Sequence, residues 1–182
     1  LMRMTTAYAM LVNGGKRIQP TLIDKIQDRV GKTIFRHDNR LCVGCDEITW
    51  DEEELPQLPD NREQIADPKT AYQVVSMLEG VVKRGTGRRI RTIGKPLAGK
   101  TGTTNDSRDT WFIGFSPDLA VGVYVGFDTP KPLGRRETGS SVAAPIFKSF
   151  MEVALSDKPA IPFRIPPGIQ LVRVDYRTGK SV

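Results

Sequence analysis

The sequence is short of the side chains and the long apolar runs on which several functional classes depend. It contains one histidine, His37, and two cysteines, so a four-ligand zinc site is one ligand short. His37 stands next to Asp38, and we expect it at the surface rather than in the role of a catalytic base. No apolar run approaches the roughly 20 residues of a membrane-spanning helix. We therefore expect neither a metal centre nor a membrane-spanning helix in this chain.

The composition is that of a soluble globular protein with a basic surface. Apolar residues make up 38% and charged residues 26% of the 182 residues, which is sufficient for a hydrophobic core. The net charge of +6 is concentrated in 83–95 and 131–136, and such clusters fit either an acidic partner or an ordinary solvated face. Because the first cluster lacks the interleaved aromatic residues of single-strand binders, we expect no nucleic-acid partner.

The two cysteines form a C-x-x-C motif, Cys42 and Cys45, within the polar stretch RHDNRLCVGCDEITW. A thioredoxin-like redox pair would stand at the start of a helix after a strand, and this stretch has neither. A local disulfide formed in an oxidising compartment is the interpretation we prefer. Two free buried thiols are the alternative.

The first third of the chain predicts a helix, a short strand and a polar excursion. The opening LMRMTTAYAML has helical spacing and no signal-peptide pattern, so we expect a piece of a longer polypeptide. The helix, predicted over 5–12, ends at Gly14 and Gly15. Residues 33–35 are strand-like, and the irregular residues 36–66 are predicted to form a surface insertion that holds both cysteines.

A second helix is predicted from Asp67 to the glycines that follow residue 84. Asp67 is a good N-cap and Pro68 is tolerated in the first turn. The turn Gly85-Thr86-Gly87 ends the helix, and we interpret it as a C-cap at least as readily as a substrate contact. The helix has an apolar stripe made of Ala71, Val74, Val75, Leu78, Val81 and Val82.

The remaining regular elements are a hairpin, a third helix and a connector. The stretch TWFIGFSPDLAVGVYVGF, residues 110–127, predicts two strands joined at Ser116-Pro117-Asp118. A helix is predicted from Ser141 to Leu155, capped by Ser140 or Ser141. Its apolar side is assigned to Ala143, Phe147, Phe150 and Ala154. The chain is rich in proline from Pro159 onward and strand-like again over 171–176.

The stretch GKPLAGKTGTT, residues 94–104, matches two incompatible motifs. As Gly94-x-x-x-x-Gly99-Lys100-Thr101 it fits a P-loop, whose lysine and threonine must be followed directly by a helix. As Lys100-Thr101-Gly102 it fits a signature of penicillin-interacting serine enzymes. The residues after Thr101 start a helix poorly and the next regular element is a strand, so we reject the P-loop and expect no cofactor.

The second motif requires a strand, then a hairpin, then a helix, and the sequence supplies them in that order. On an edge strand, Lys100 would bring positive charge to a substrate carboxylate. We expect Thr101 and Thr103 to point to opposite faces, with the hydroxyl in the cleft donating to that carboxylate. Gly102 leaves room for an approaching backbone, and the Thr103 amide is suited to a developing oxyanion. Thr104 completes the predicted substrate-binding set.

Four stretches carry a family resemblance: TTAYAMLVNGGKRIQPTLI, GTGRRI, LAGKTGTTNDSRDTWFIGFSPDLAVGVYVGFD and TGSSVAAPIF. They resemble the C-terminal half of the transpeptidase domain of class A, bifunctional penicillin-binding proteins. The resemblance implies an α/β (α+β) fold, an antiparallel sheet flanked by helices as in β-lactamases, present here as a partial domain. It also implies a partial domain over 1–158, followed over 159–182 by a Pro-rich connector and the start of a C-terminal extension.

The family implies a periplasmic enzyme, held at the inner membrane by an N-terminal segment not in this chain. Such enzymes cross-link peptidoglycan: a serine is acylated by a D-Ala-D-Ala stem peptide or by a β-lactam. The family's Ser-x-x-Lys and Ser-x-Asn motifs are not in this sequence. We therefore expect the isolated chain to be inactive and to cover its exposed apolar surface by pairing or swapping elements with another copy. The alternative is a non-catalytic cell-wall binding or scaffold module.

Overall fold

The computed structural model describes residues 1–40, 58–175 and 177–181, which divide into two compact units. One comprises Leu1–Ile18 and Gln64–Val182, and the other is Gln19–Glu63. Cys42 and Cys45, with the disulfide proposed for them, lie outside the described residues. In chain order the elements are α1 (Met2–Val12), β1 (Lys25–Gln27), β2 (Thr33–Arg36), α2 (Pro68–Arg84), β3 (Ala98–Thr103), β4 (Asp109–Phe115), β5 (Ala120–Gly126) and α3 (Ala144–Ala154).

The larger unit is built on an antiparallel sheet in the order β3-β4-β5. Lys100 stands opposite Ile113 on β4, and Phe115 stands opposite Ala120 on β5. The β4–β5 turn is held by the Ser116 hydroxyl oxygen, which accepts the backbone N–H groups of residues 118 and 119. The predicted antiparallel sheet flanked by helices is confirmed.

α2 begins and ends where its capping residues predict. The Asp67 carboxylate accepts the backbone N–H of Thr70 at 2.9 Å, and Pro68 occupies the first turn. The helix ends at Gly85, where an added Cβ would lie 2.9 Å from the Val81 Cα. A side chain at Gly85 would therefore collide with the last turn of the helix it ends.

Apolar side chains cover both faces of the sheet. Phe112 and Phe115 are three residues apart on β4 and so point to opposite faces. Phe112 meets Phe147 of α3 with ring centroids 4.8 Å apart, in a cluster that also contains Val82, Ile90, Leu97, Ala143, Ala144, Met151 and Leu155. Phe115 packs with Val75 of α2 and Ala98, and its ring lies 6.4 Å from that of Tyr8 on α1.

The third helix differs from its prediction in its start and its apolar face. A π-turn over Gly139–Ala143 precedes α3, and Thr138 caps it through a reciprocal pair of contacts with Ser141. The buried face is Ala144, Phe147 and Met151 at i, i+3 and i+7, whereas Phe150 is 52% exposed. The prediction that Phe150 belongs to this face is wrong, because the stripe is centred on residues 144, 147 and 151 and position 150 turns outward.

The C-terminal segment forms no strand in its described part. Over 171–175 and 177–181 the only ladder contact is an isolated bridge between Val174 and Ser181. The strand predicted over 171–176 is therefore wrong for its described residues, 171–175, since the apolar alternation there pairs with no strand. Within the described residues, no helix combines the length and the apolar composition required to cross a bilayer.

The smaller unit contains a two-stranded antiparallel hairpin, β1–β2. The predicted strand at 33–35 is confirmed within β2. Every residue of both strands is exposed, including Ile34 and Phe35. The turn is fixed by the Asp28 carboxylate, which accepts the backbone N–H groups of Val30 and Lys32. The turn therefore depends on local polar contacts rather than on buried apolar side chains.

Candidate functional site

β3 carries the Lys100-Thr101-Gly102-Thr103 motif and forms one edge of the three-stranded sheet. Just beyond the strand, the Thr104 N–H donates to the Asp109 carbonyl oxygen at 3.1 Å. Hydrogen-bonded pairs recur at every second residue of an antiparallel ladder, so Lys100 and Gly102 also bond to β4. Thr101 and Thr103 therefore direct their backbone N–H and C=O groups away from β4, toward the free edge.

This placement excludes the P-loop. Gly94 is the left-handed residue that ends a short 3-10 turn over Arg88–Ile93, and Lys100 and Thr101 lie inside β3. The chain then passes through a second 3-10 turn, Asn105–Ser107, into β4. The first element after Lys100-Thr101 is thus the remainder of a strand, and no helix start is available to cradle a phosphate.

The ammonium group of Lys100 lies at the free edge of β3. The side chain is exposed, and its Nζ donates to the Thr101 carbonyl oxygen at 2.9 Å. That carbonyl is one of the groups that the ladder directs away from β4. A positive charge therefore lies beside backbone groups with which an added extended peptide would pair.

The hydroxyl groups of Thr101 and Thr103 lie on the same face of β3. Thr101 Oγ1 is 2.9 Å from Thr86 Oγ1, and Thr103 Oγ1 accepts the Gly139 N–H at 3.0 Å. Ser140, the neighbour of Gly139, donates its hydroxyl to the Thr86 carbonyl at 2.9 Å, which joins the two contacts. The prediction that these threonines face opposite ways is wrong, because residues two apart on a strand share a face.

Gly139 lets the π-turn approach the backbone of the motif closely. A Cβ added to Gly139 would lie 2.4 Å from the Trp111 carbonyl oxygen and 2.6 Å from the Gly102 carbonyl oxygen. A Cβ added to Gly102 would lie 3.0 Å from Trp111 Cβ, on the other face of the strand. Close packing against backbone oxygens therefore requires glycine at position 139, whereas a side chain at position 102 would have to displace Trp111 by a few tenths of an ångström.

Thr104 and the β3–β4 turn form a separate polar cluster at the end of the motif. The Thr104 hydroxyl oxygen accepts the Asp109 N–H at 2.8 Å, and the Asp109 carboxylate accepts the Tyr124 hydroxyl at 2.8 Å. This hydrogen bond to Asp109 raises the pKa of Tyr124. Asp106 and Ser107 have φ values of 59° and 52°, so the turn is held in a conformation that side chains rarely adopt. The substrate-binding role of Thr104 stays a prediction.

Sequence reasoning missed Thr86 and Gly139 as parts of this site. The segments that hold them, GTGRRI and TGSSVAAPIF, stand out in the sequence, but the first fits a helix cap as readily as a substrate contact and the second fits a helix start. Thr86 is 15 residues from Thr101, and Gly139 is 36 residues from Thr103. Only the presence of both segments beside the Lys-Thr-Gly strand in one family signature pointed to a shared site.

The chain is similar in sequence to the transpeptidase domains of penicillin-binding proteins. The profile of the penicillin binding protein transpeptidase domain matches residues 1–152. Penicillin-binding protein 1A of Rickettsia typhi is 48% identical over 186 residues, covering 100% of this chain and 23% of the relative. Penicillin-binding protein 1A of Pseudomonas aeruginosa is 38% identical over 210 residues, covering 99% and 26% respectively. The chain thus spans about a quarter of the length of these relatives.

The fold of this chain is similar to part of the crystal structure of penicillin-binding protein 1A from Haemophilus influenzae. It superposes with a TM-score of 0.79 at 33% sequence identity. The superposition covers 100% of this chain and 30% of that one. The mixed α/β fold with its antiparallel sheet is therefore that of part of a larger transpeptidase domain.

Proposed function

Because this chain belongs to the penicillin-binding protein transpeptidase family, we propose that it forms one wall of the active site of a serine D,D-transpeptidase that cross-links peptidoglycan. The observation that carries the proposal is the grouping at the free edge of β3. There the Lys100 ammonium and the hydroxyls of Thr101 and Thr103 lie beside backbone groups that β4 leaves unpaired.

The edge of β3 is suited to a peptide that ends in a carboxylate. An extended stem peptide would lie alongside β3 and pair with the outward N–H and C=O groups of Thr101 and Thr103. Its terminal carboxylate would accept hydrogen bonds from the two threonine hydroxyls, with the Lys100 charge nearby. Hydrogen bonds to an ionised acceptor are about twice as strong as those between neutral groups, so this anchor would orient the reactive peptide bond.

The acyl-transfer step needs a nucleophile from elsewhere. A serine hydroxyl would attack the carbonyl of the penultimate D-Ala, the peptide bond would break, and the terminal D-Ala would leave with the proton. The Thr103 N–H points to the free edge and would donate to the oxyanion formed during attack. An amine from a second stem peptide would then displace the serine ester. No serine of this sequence has a lysine three residues later, so we assign the nucleophile to residues outside 1–182.

The cellular setting follows from the same proposal. We assign the intact protein to the periplasmic side of the inner membrane, held there by a segment outside this chain. β-Lactams would acylate the same serine, since their carboxylate and strained amide resemble the end of the stem peptide.

Covalent labelling by a fluorescent penicillin tests the proposal. We expect the intact gene product that contains residues 1–182 to take up the label, and the 182-residue polypeptide alone to take up none. Heat-denatured intact protein is the control for nonspecific attachment. An intact protein that stays unlabelled would contradict the transpeptidase assignment, and a labelled 182-residue chain would contradict the assignment of the nucleophile.

A non-catalytic binding or scaffold role is the second candidate. It is favoured by the exposed basic side chains around the end of α2, namely Lys83, Arg84, Arg88 and Arg89. An acidic cell-wall component or partner protein would bind such a surface through its charge. That binding should weaken steeply with salt and should not depend on Lys100.

A further inference from the structure

Thr86 is held firmly beside the proposed carboxylate-binding hydroxyls. It lies between Gly85 and Gly87, whose N–H groups both donate to the Val81 carbonyl, at 3.0 and 3.1 Å. The Thr86 carbonyl accepts the Ser140 hydroxyl at 2.9 Å. The chain on either side of Thr86 and its own backbone are thus tied to α2 and to the π-turn.

The helix cap does not explain the side chain of this residue. The cap at the end of α2 uses only the backbone N–H groups of the two flanking glycines. The Thr86 hydroxyl takes no part in it and contacts Thr101 Oγ1 at 2.9 Å instead. The hydroxyl of Thr86 therefore acts on the hydroxyl of Thr101 and does not stabilise the helix end.

The hydrogen-bond inventory fixes the direction of this contact when an anion is bound. Each hydroxyl has one proton to donate and two lone pairs that accept. Thr103 Oγ1 already accepts from the Gly139 N–H, so its proton remains for a ligand. A carboxylate only accepts, so a carboxylate bound by Thr101 in the way proposed above would take the Thr101 proton as well. The proton shared between Thr86 and Thr101 must then come from Thr86.

We propose that Thr86 is a positioning residue that donates its hydroxyl proton to Thr101 Oγ1 and so directs the Thr101 proton toward the carboxylate of the substrate. The proposal rests on the transpeptidase function proposed above. It makes the two threonines of β3 a matched pair, because each hydroxyl oxygen accepts from a fixed donor and each proton is left for the same anion. Without Thr86, the Thr101 hydroxyl would rotate among other acceptors, and part of the anchor would be lost.

The test compares Thr86→Val, which removes the hydroxyl at nearly constant shape, with Thr86→Ser, which keeps it. The second-order rate constant of acylation is measured on the intact gene product with a penicillin and with its methyl ester, each in competition with a fluorescent penicillin. We expect Thr86→Val to slow acylation by the free acid about tenfold, with Thr86→Ser within about twofold of wild type. Acylation by the ester, which lacks the anion, should change less than about twofold in either variant.

Thr92→Val is the matched control, since Thr92 is an exposed threonine in the neighbouring 3-10 turn whose hydroxyl donates to the Arg89 carbonyl of the same turn. It should acylate like the wild type. Equal losses for the acid and the ester in Thr86→Val would overturn the role of Thr86, because they would indicate a general disturbance of the site. Unchanged acylation by Thr86→Val would also overturn it. A wild-type protein that takes up no label would instead overturn the transpeptidase function itself.

Discussion

The first half of β3 (98–99) and its second half (100–103) belong to one strand and one ladder, but their surroundings differ. Ala98 is fully buried, and a Cβ added to Gly99 would lie 2.7 Å from the Ile113 carbonyl oxygen and 2.8 Å from the Gly114 Cα. In the second half, Lys100 and Thr103 are exposed, although they pair with β4 in the same register. Backbone pairing alone therefore does not decide whether a residue is buried.

The difference lies in what covers each half. The first half is enclosed by the apolar side chains of the two core clusters. In the second half, Thr103 is hydrogen-bonded to the backbone of Gly139 and Thr101 to the hydroxyl of Thr86. These contacts leave the edge of the strand open. We infer that substitutions near the first half change stability and that substitutions in the second half change binding.

Phe147→Ala should give the largest effect, a loss of folding stability. Phe147 is fully buried against Phe112 on the face of the sheet that α3 covers. Removing a buried phenylalanine leaves a cavity and costs about 3–5 kcal/mol. The measurement is thermal or urea unfolding of the intact gene product. Phe150→Ala, on the same helix but 52% exposed, is the matched control and should change the unfolding midpoint little.

Equal destabilisation of Phe147→Ala and Phe150→Ala would contradict this prediction. That result would mean that α3 is held by contacts spread around its whole circumference rather than by its buried face. The distinction between a supporting half and a binding half of β3 would then have no energetic basis.

Lys100→Ala should give the next largest effect, a slower acylation by penicillin. Removing the ammonium from the free edge takes away charge that the carboxylate of a penicillin would meet, and we expect acylation of the intact protein to slow about 30-fold. The unfolding midpoint should stay close to that of wild type, because the side chain is exposed. Lys83→Ala, which removes an exposed lysine from α2, is the control and should acylate normally.

The same pair of variants separates the two candidate functions. Salt-sensitive binding to a cell-wall component that is lost in Lys83→Ala and kept in Lys100→Ala would favour the scaffold role. Loss of acylation in Lys100→Ala alone would favour the catalytic wall.

The sequence predicted those features that depend on neighbouring residues. The start of α2 was predictable because Asp67 and Pro68 act within one turn, and the β4–β5 hairpin because its alternation and its turn residues are local. The Lys100 position followed from the order of elements around the motif. For α3, the apolar spacing predicts the helix, but the cap is Thr138 rather than Ser140 or Ser141, because a π-turn precedes the helix. This tertiary adjustment has no local signal in the sequence.

The contacts that complete the candidate site depend on the packing of distant segments. Thr86 meets Thr101 only because α2 ends beside β3, and Gly139 meets Thr103 only because the π-turn lies over the strand. Spacing along the chain carries no information on such distances. The side-chain faces of Thr101 and Thr103 could have been predicted correctly, since residues two apart on any strand share a face.

Asp67→Ala should give the smallest effect, and its dependence on pH makes it informative. The backbone N–H of Thr70 donates to the Asp67 carboxylate and holds its pKa below the ordinary value. A carboxyl whose pKa is lowered by folding stabilises the protein above its unfolded pKa, about 3.9, and loses that contribution as the pH falls through the lower folded value. The unfolding midpoint of Asp67→Ala should therefore lie below that of wild type at pH 7, and the gap should narrow in acid.

Asp157→Ala, which removes an exposed carboxylate just after α3, is the matched control for the charge change. Because Asp67 begins the helix that packs against the first half of β3 and ends at Gly85, the cap acts on the supporting side of the molecule. Penicillin acylation at pH 7 should stay near the wild-type rate in Asp67→Ala. A marked loss of acylation without a lower midpoint would mean that α2 sets the position of Thr86 through its first turn as well as its last, and the two halves of β3 would not be separable.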